Sequence, residues 1–333
     1  MAYGGYPHFK NYLLDKGIVF LKSILPSHVR QGSVTRWSIL VAFTGQKDEG
    51  KDRLMSLAIV FKGTEGIVLA ADSRVTLTAQ LQPQPGQTLL LPSTFDNATK
   101  LLKVAGQDYV GAVCYGLAAI GVRSPRTIHS YLPEFEEYIK NQDITDRIGV
   151  EPFCQKLSDF FMSKWNGEMP PTYQGEDIVL LIGGFDIGAP YGRIFEVKIP
   201  SSPIPHELLA SDFGAAWGGQ RELTDRLLQG YDPNLPGIVQ KILQIDASQT
   251  ITLEQSLKQQ LSINIPYQFL PLQDCVDLSI FLIRATIMIQ KWQVGIRGVG
   301  GMIDAATITQ RDKFNYVQQK RIRGESNIDG GLL

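Results

Sequence analysis

Two short apolar runs near residue 60 constrain the fold more than any other stretch of the chain. Residues 56–61 and 66–71 are rich in Ile, Val, Leu and Ala with little alternation, and the turn-forming residues 62–65 separate them. Such runs are typical of strands that are buried on both faces. The second run ends on Asp72, Ser73 and Arg74. The sequence therefore predicts a β-hairpin that holds an acid and a base beside the start of its first strand, an arrangement suited to catalysis.

This hairpin resembles the opening of a mature proteasome β-type subunit, an N-terminal nucleophile (Ntn) hydrolase. In that family a Thr begins the first strand, and the second strand closes on the motif A-[AG]-D-x-R, which is AADSR at residues 70–74 here. Counting back sixteen residues from Asp72, the family's spacing to the nucleophile, leads to Ser56. Lys100, followed by two leucines, matches the catalytic Lys that begins the family's third strand. The resemblance covers about residues 56–309 and is strongest over residues 56–100.

The resemblance implies an α+β fold, a four-layer αββα sandwich with two antiparallel sheets between helical layers. The predicted order of elements is strands, two helices, strands, helices and a strand, which suits that architecture. Residues 77–97 exceed the family's usual connection and are interpreted as a surface insertion or lid. We divide the chain into an N-terminal extension (1–54), an Ntn-hydrolase domain (55–309) and a polar tail (310–333) that begins with a strand.

The resemblance also assigns chemical roles to four residues. The Ser56 hydroxyl needs a base, and the free α-amino group of the same residue, with a reference pKa of roughly 8, can take its proton. The ammonium of Lys100 would lower the pKa of that amine by like-charge repulsion. Asp72 would keep Lys100 protonated and aimed, and Arg74 would brace the end of the second strand. None of the four histidines lies in a recognisable Ser-His-Asp motif.

Three further residues complete the site that the resemblance implies. A tetrahedral oxyanion needs a backbone N–H donor, and alignment to the family places this donor at the turn formed by Tyr115 and Gly116. Thr76 is the third residue assigned to oxyanion or substrate binding. The expected substrate is a peptide or another amide, and no cofactor or metal is expected.

The mechanism requires Ser56 to be the first residue of the working enzyme. Residues 46–53 (QKDEGKDR) are amino acids with purine-rich codons, as a bacterial ribosome-binding site would encode, and Met55 follows closely. We hypothesise that Met55 is the natural start and that an aminopeptidase removes it, so that residues 1–54 are upstream sequence or dispensable. The alternative is an ordinary N-terminal extension or propeptide.

Two departures from the family pattern keep other functions open. Gly218 stands where the family has a Ser, and residues 296–299 (IRGV) replace the family's Asp-x-x-Ser before Gly300. Those hydroxyl and carboxyl groups normally support the terminal amine. The chain could therefore be a non-catalytic ring or scaffold subunit, similar to proteasome α-type subunits. It could also be a small-molecule amidase or acylase on the same fold.

Composition restricts partners and compartment. The net charge of −1 gives no electrostatic reason to expect nucleic acid or an anionic membrane as partner. No run of eighteen apolar residues is present, so no membrane span is expected. Three widely spaced cysteines indicate free thiols in a reducing compartment, which favours the cytoplasm. The apolar helix predicted at residues 272–292 has more hydrophobic surface than one core consumes, so we expect a homo-oligomer, with a ring as one form.

Overall fold

The computed structural model describes residues 56–322, apart from residues 85–86, 123, 143–145 and 296. The hypotheses about residues 1–54 and about Met55 therefore lie outside the described residues. The last part of the tail, residues 323–333, does as well.

The described residues form a mixed α/β fold with several antiparallel sheets. The strands are β1 (Leu57–Lys62), β2 (Ile67–Ala71), β3 (Val75–Gln84), β4 (Gln87–Phe95), β5 (Leu101–Leu102), β6 (Val110–Gly116), β7 (Ala119–Ile120), β8 (Arg126–Thr127), β9 (Ile178–Gly184), β10 (Arg193–Ile199), β11 (Ser202–Leu208), β12 (Gly214–Gly219), β13 (Asp304–Thr309) and β14 (Lys313–Gln318). The α-helices are α1 (Leu132–Lys140), α2 (Val150–Glu168), α3 (Glu222–Leu228), α4 (Leu235–Leu243), α5 (Ala247–Leu261) and α6 (Leu272–Trp292), with 3₁₀ turns at Ile128–Tyr131 and Tyr267–Phe269.

Two five-stranded sheets form the centre of the described structure. Sheet I has the order β12-β1-β2-β13-β14, and sheet II has the order β11-β10-β9-β6-β5. Neighbouring strands in both sheets are antiparallel. Strand β14 pairs with β13 over residues 313–318, so the boundary that we drew at residue 309 divides a hairpin. Residues 313–318 belong to sheet I.

Strands β1 and β2 are buried along their whole length, which confirms the prediction from the two apolar runs. Successive side chains of a strand point to opposite faces of its sheet. Accordingly, Leu57, Ile59 and Phe61 pack in one hydrophobic cluster with residues of α6, whereas Ala58 and Val60 pack in another with residues of sheet II. A third cluster joins the other face of sheet II to α1 and α2. The start of β1 is thus held from both sides.

Two segments differ from the sequence-based expectation. Residues 77–97, interpreted as a surface insertion or lid, lie largely in a two-stranded sheet of β3 and β4, which is separate from sheets I and II. Strand β11 was not predicted, because its sequence SPIPHEL carries two prolines. Proline lacks the N–H that a central strand must donate, but β11 lies at the edge of sheet II, where one side needs no donor.

Helix α6 has the predicted bounds, and its sequence pattern predicts one apolar face formed by Cys275, Leu278, Phe281, Leu282 and Ile287. Cys275 and Leu282 are buried as expected, whereas Phe281 is 55% exposed. The helix carries apolar residues around most of its circumference, so periodicity alone could not decide which of them face the sheet. Within the described residues, no helix is long and apolar enough to cross a membrane.

Candidate active site

Asp72, at the end of β2, is the centre of the site. Its Oδ1 accepts hydrogen bonds from the Lys100 ammonium at 2.6 Å and from the Leu57 N–H at 3.0 Å. Its Oδ2 accepts from the N–H groups of Arg74 at 3.0 Å and Gly300 at 2.9 Å. The side chains of Asp72 and Lys100 are 0% and 5% exposed. An ionised carboxylate can accept all four bonds, so the site holds a buried, fully hydrogen-bonded ion pair.

Lys100 lies beside the beginning of β1, as the resemblance implies for a catalytic Lys. Its ammonium and the Leu57 N–H bind the same carboxylate oxygen of Asp72. This shared oxygen holds the positive charge of Lys100 next to Leu57, the residue that follows Ser56. The Lys100 carbonyl in turn accepts from the Cys114 N–H at 3.0 Å. The expected contact between Lys100 and Asp72 is therefore present, and the catalytic role of both residues stays a prediction.

Ser56 and Lys100 line the same small cavity. Its volume is about 20 Å³, which leaves room for about one ordered water. The other residues of its wall are Val75, Ala98, Thr99, Cys114, Tyr115, Gly116, Leu117, Ala118, Thr127 and Ile128. Ser56 itself is 2% exposed. The structure thus brings the predicted nucleophile, the Lys and the predicted oxyanion turn to the wall of one small cavity.

The backbone of Ser56 is held by the end of β12. Its carbonyl accepts a hydrogen bond from the Gln220 N–H at 2.7 Å. Gly219 has φ of +96°, and a Cβ there would overlap that same carbonyl. Since the left-handed conformation and the close approach both require glycine, any larger residue at 219 would displace Ser56.

The turn after β6 supplies the candidate oxyanion donor. Gly116 has φ of +81°, and a Cβ there would overlap the Asp177 carbonyl. The next N–H, of Leu117, already donates to that carbonyl at 2.9 Å. The Leu117 N–H is therefore already occupied, and the assignment of the oxyanion donor to Tyr115 and Gly116 stays a prediction.

Tyr115 also occupies the space where the resemblance expects a Ser hydroxyl. Its ring lies so close to Gly218 that any Cβ at position 218 would overlap it. The Tyr115 hydroxyl donates to Glu196 Oε2 at 3.3 Å. Burial, together with the neighbouring Glu196 carboxylate, raises the pKa of Tyr115, so the phenol stays neutral. The ring of Tyr115 therefore leaves room only for a glycine at position 218.

Arg74 acts on the site through a loop rather than by facing the cavity. Its guanidinium binds Asp96 with two bonds, at 2.5 Å and 2.7 Å, and donates to the Arg297 carbonyl at 3.3 Å. The hydrogen bond from Arg74 lowers the pKa of Asp96. Gly300 lies directly against the guanidinium, and a Cβ there would overlap it. Arg74 thus fixes the loop whose Gly300 N–H reaches Asp72, and its role in bracing the end of β2 stays a prediction.

Thr76 does not lie on the wall of the cavity. Its neighbour Val75 does, because adjacent residues of a strand point to opposite sides. Within the described residues, the buried Thr76 hydroxyl has no hydrogen-bond partner. The assignment of Thr76 to the oxyanion or substrate site has no geometric support here.

Two glutamines of the site were missed by sequence reasoning. Gln290, on the buried face of α6, accepts from the Val299 N–H at 3.0 Å through Oε1 and donates through Nε2 to Gln220 Oε1. Gln220 holds the Ser56 carbonyl, and Val299 precedes Gly300, which holds Asp72. Gln290 is a polar residue that falls, at helical spacing, on the same face of α6 as buried apolar residues. This pattern is the signal in the sequence that could have identified it. The side-chain amides of the two glutamines connect the segment after β12, which hydrogen-bonds to Ser56, with the segment before β13, which hydrogen-bonds to Asp72.

Cys114 is a second nucleophilic side chain on the cavity wall, and its thiol is not activated. Burial raises the pKa of Cys114 to about 11, so at neutral pH the thiol holds its proton. We therefore expect Cys114→Ala to retain the rate of any amide hydrolysis, measured as kcat/KM on the same substrate as wild type. Loss of activity with unchanged stability would instead identify Cys114 as the nucleophile.

Comparisons with known proteins add little to this geometry. No protein-family model matches the sequence, and no curated protein matches it significantly. Among solved structures, the chain is similar to the Gly-1 mutant of Anbu, a proteasome-like protein, from Hyphomicrobium sp. strain MC1. The two are 12% identical, with a TM-score of 0.45 over 82% of this chain and 89% of that chain. Likeness at this level carries no argument about fold or activity. Within the described residues there is also no cluster of His, Cys, Asp and Glu able to hold a metal ion.

Proposed function

We propose that this protein is a proteasome-like Ntn hydrolase that cleaves amide bonds with Ser56 as its N-terminal nucleophile. The observation that carries the proposal is the buried pair of Lys100 and Asp72, placed beside the start of β1 and sharing a cavity with Ser56. Burying an ion pair costs desolvation energy that a hydrophobic pair would avoid. The presence of such a pair next to a candidate nucleophile therefore favours a chemical role.

The proposed fold is the four-layer αββα sandwich. Three hydrophobic clusters support it, because they account for three interfaces between four layers. The first joins α1 and α2 to sheet II, the second joins the two sheets, and the third joins sheet I to α6 and α3. This order places the start of β1 in the inner part of the sandwich.

In the proposed reaction the α-amine of Ser56 takes the proton of the Ser56 hydroxyl. The oxygen attacks the substrate carbonyl, and the resulting oxyanion is stabilised by a backbone N–H of the turn at Tyr115 and Gly116. The amine then gives its proton to the leaving nitrogen, and the C–N bond breaks to leave an ester on Ser56. Water hydrolyses the ester, with the amine again taking a proton. Lys100 keeps the amine a base near neutral pH by its positive charge.

A substrate panel tests the proposal and its substrate class. The form beginning at Ser56 is mixed with fluorogenic peptide amides and with small acyl amides, and hydrolysis is followed alongside the Ser56→Ala variant. Hydrolysis of peptide amides, absent in the variant, is the expected result. Turnover of small acyl amides alone would move the function to a small-molecule amidase or acylase. No turnover of any amide would contradict the proposal.

One observation favours a second candidate, a non-catalytic ring or scaffold subunit. The positions that carry supporting side chains in the family hold Gly218 and Val299 here, and the cavity has room for about one water. A scaffold needs no free amine at Ser56. Intact-mass analysis of protein from its native gene context separates the two functions, because a scaffold can keep residues ahead of Ser56 and an enzyme of this mechanism cannot.

A further inference from the structure

The last turns of helix α6 hold a polar side chain on the face that packs into the protein. Gln290 is 7% exposed and follows the buried Ile283 and Thr286 by two turns and one turn of the helix. Burying a side-chain amide costs free energy unless both its oxygen and its NH₂ group are hydrogen-bonded. Gln290 meets this requirement with one bond to Val299 and one to Gln220, both outside the helix. We call this arrangement of three residues the Gln290 bridge.

The chemistry of the groups fixes the direction of both bonds in the bridge. The Val299 N–H can only donate, so Gln290 Oε1 must face it, at 3.0 Å. The NH₂ group of Gln290 is then left to donate to Gln220 Oε1. The loop before β13 also packs on Gln220, since a Cβ at Gly298 would lie 3.0 Å from the Gln220 side-chain amide. The Gln220 side chain is therefore held between α6 and this loop.

Both ends of the bridge lie next to groups that hold the site. At one end, the Gln220 N–H donates to the Ser56 carbonyl at 2.7 Å. At the other end, Val299 is followed by Gly300, whose N–H donates to Asp72 Oδ2 at 2.9 Å. The bridge thus links the backbone of the proposed nucleophile to the carboxylate that binds the proposed catalytic Lys.

We propose that Gln290 is a positioning residue, which sets Ser56 relative to Asp72 through its bonds to Gln220 and Val299. Its effect on rate rests on the proposed function, whereas the bridge is a feature of the fold. A displacement of about 1 Å at a reacting group can lower a rate by about a hundredfold. Such a bridge supports Ser56 in a chain that lacks the supporting side chains of the family pattern.

Gln290→Met is the first test, because it removes both bonds and keeps the length of the side chain. In the form beginning at Ser56, we expect kcat on a peptide amide to fall by about tenfold or more with KM little changed, since the nucleophile is misplaced and the substrate still binds. Hydrogen exchange of the full chain gives a readout that needs no turnover. The N–H groups of Gln220 and Gly300, neither of which bonds to Gln290, should exchange about tenfold faster or more.

Thr286→Val is the matched control on the same helix. Thr286 is also buried and lies one turn before Gln290, but its hydroxyl donates to the Leu282 carbonyl of α6 itself at 3.0 Å. This variant loses a buried hydrogen bond without touching the bridge. It should leave kcat and the exchange of Gln220 and Gly300 unchanged, and thermal melts should show that the variants are folded.

Gln220→Met breaks the same bridge at its half-buried end and keeps the Val299 N–H paired. It should also speed exchange at Gly300 and lower kcat, so the test holds even where the buried substitution unfolds the protein. If the two glutamines act as one bridge, Gln220→Met with Gln290→Met should lower kcat little further than Gln290→Met alone.

Unchanged exchange at Gln220 and Gly300 in folded Gln290→Met would overturn the inference, whether or not the wild type hydrolyses amides. Additive losses of kcat in the double variant, or an unchanged kcat in an active enzyme, would overturn it as well. A wild type without turnover, whose exchange changes as expected on substitution, would support the bridge and contradict the proposed function.

Discussion

Replacing Lys100 with Met is expected to lower the rate of amide hydrolysis by several powers of ten. Without the nearby positive charge of Lys100, the pKa of the Ser56 amine would rise. Less of the amine would then be an unprotonated base near neutral pH. The same change leaves the Asp72 carboxylate buried without its cation, so we expect the free energy of unfolding to fall by about 3 kcal/mol. The measurements are kcat/KM on a peptide amide and urea denaturation followed by fluorescence.

Two companion variants separate lost chemistry from lost folding. Lys100→Arg keeps the charge, so it should retain more stability than the Met variant while misplacing the cation. Adding Asp72→Asn to Lys100→Met removes the unpaired buried carboxylate. The double variant should recover part of the stability without recovering activity. If Lys100→Met hydrolysed amides at the wild-type rate, Lys100 would have no catalytic role.

Changes at Ser56 should act on activity alone. Ser56→Ala removes the nucleophile, so hydrolysis should fall to background while the free energy of unfolding stays within about 0.5 kcal/mol of wild type. Ser56→Thr keeps the hydroxyl and amine in place and should stay active, because its extra methyl can enter the cavity that Ser56 lines.

Ser73→Ala is the matched control for the Ser56 variants. Ser73 is also buried and lies one residue beyond Asp72, but within the described residues its hydroxyl has no hydrogen-bond partner. Removing it should change neither activity nor stability. Equal losses in Ser73→Ala and Ser56→Ala would show that the assay reports packing and not a nucleophile.

The local part of the site followed from the sequence. The two apolar runs predicted β1 and β2 with both faces buried, and the polar residues that close β2 placed Asp72 at a strand end. The bond between Asp72 and Lys100 joins residues that are 28 positions apart, although Asp72 follows a strand of sheet I and Lys100 precedes a strand of sheet II. Strand periodicity does not pair these two sheets, so the resemblance, and not the strand pattern, indicated Lys100.

The long-range part could not be predicted. Gly300 reaches Asp72 from 228 positions away, and Gln290 and Gln220 meet only because α6 and the end of β12 pack over the start of β1. These contacts depend on tertiary packing, which single-residue patterns do not encode. The exposure of Phe281 was missed because α6 carries apolar residues around most of its circumference, so periodicity gives a weak signal for its outer face.

The terminal amine of Ser56 is the centre of the proposed mechanism, and one measurement tests its role directly. Two forms of the protein are prepared, one beginning at Ser56 and one retaining Met55, and intact mass verifies each terminus before and after the assay. The form beginning at Ser56 is expected to hydrolyse a peptide amide, and the form with Met55 is expected to be inactive with equal thermal stability, because its Ser56 nitrogen is an amide and not a base. Equal rates for the two forms would contradict the terminal-amine mechanism.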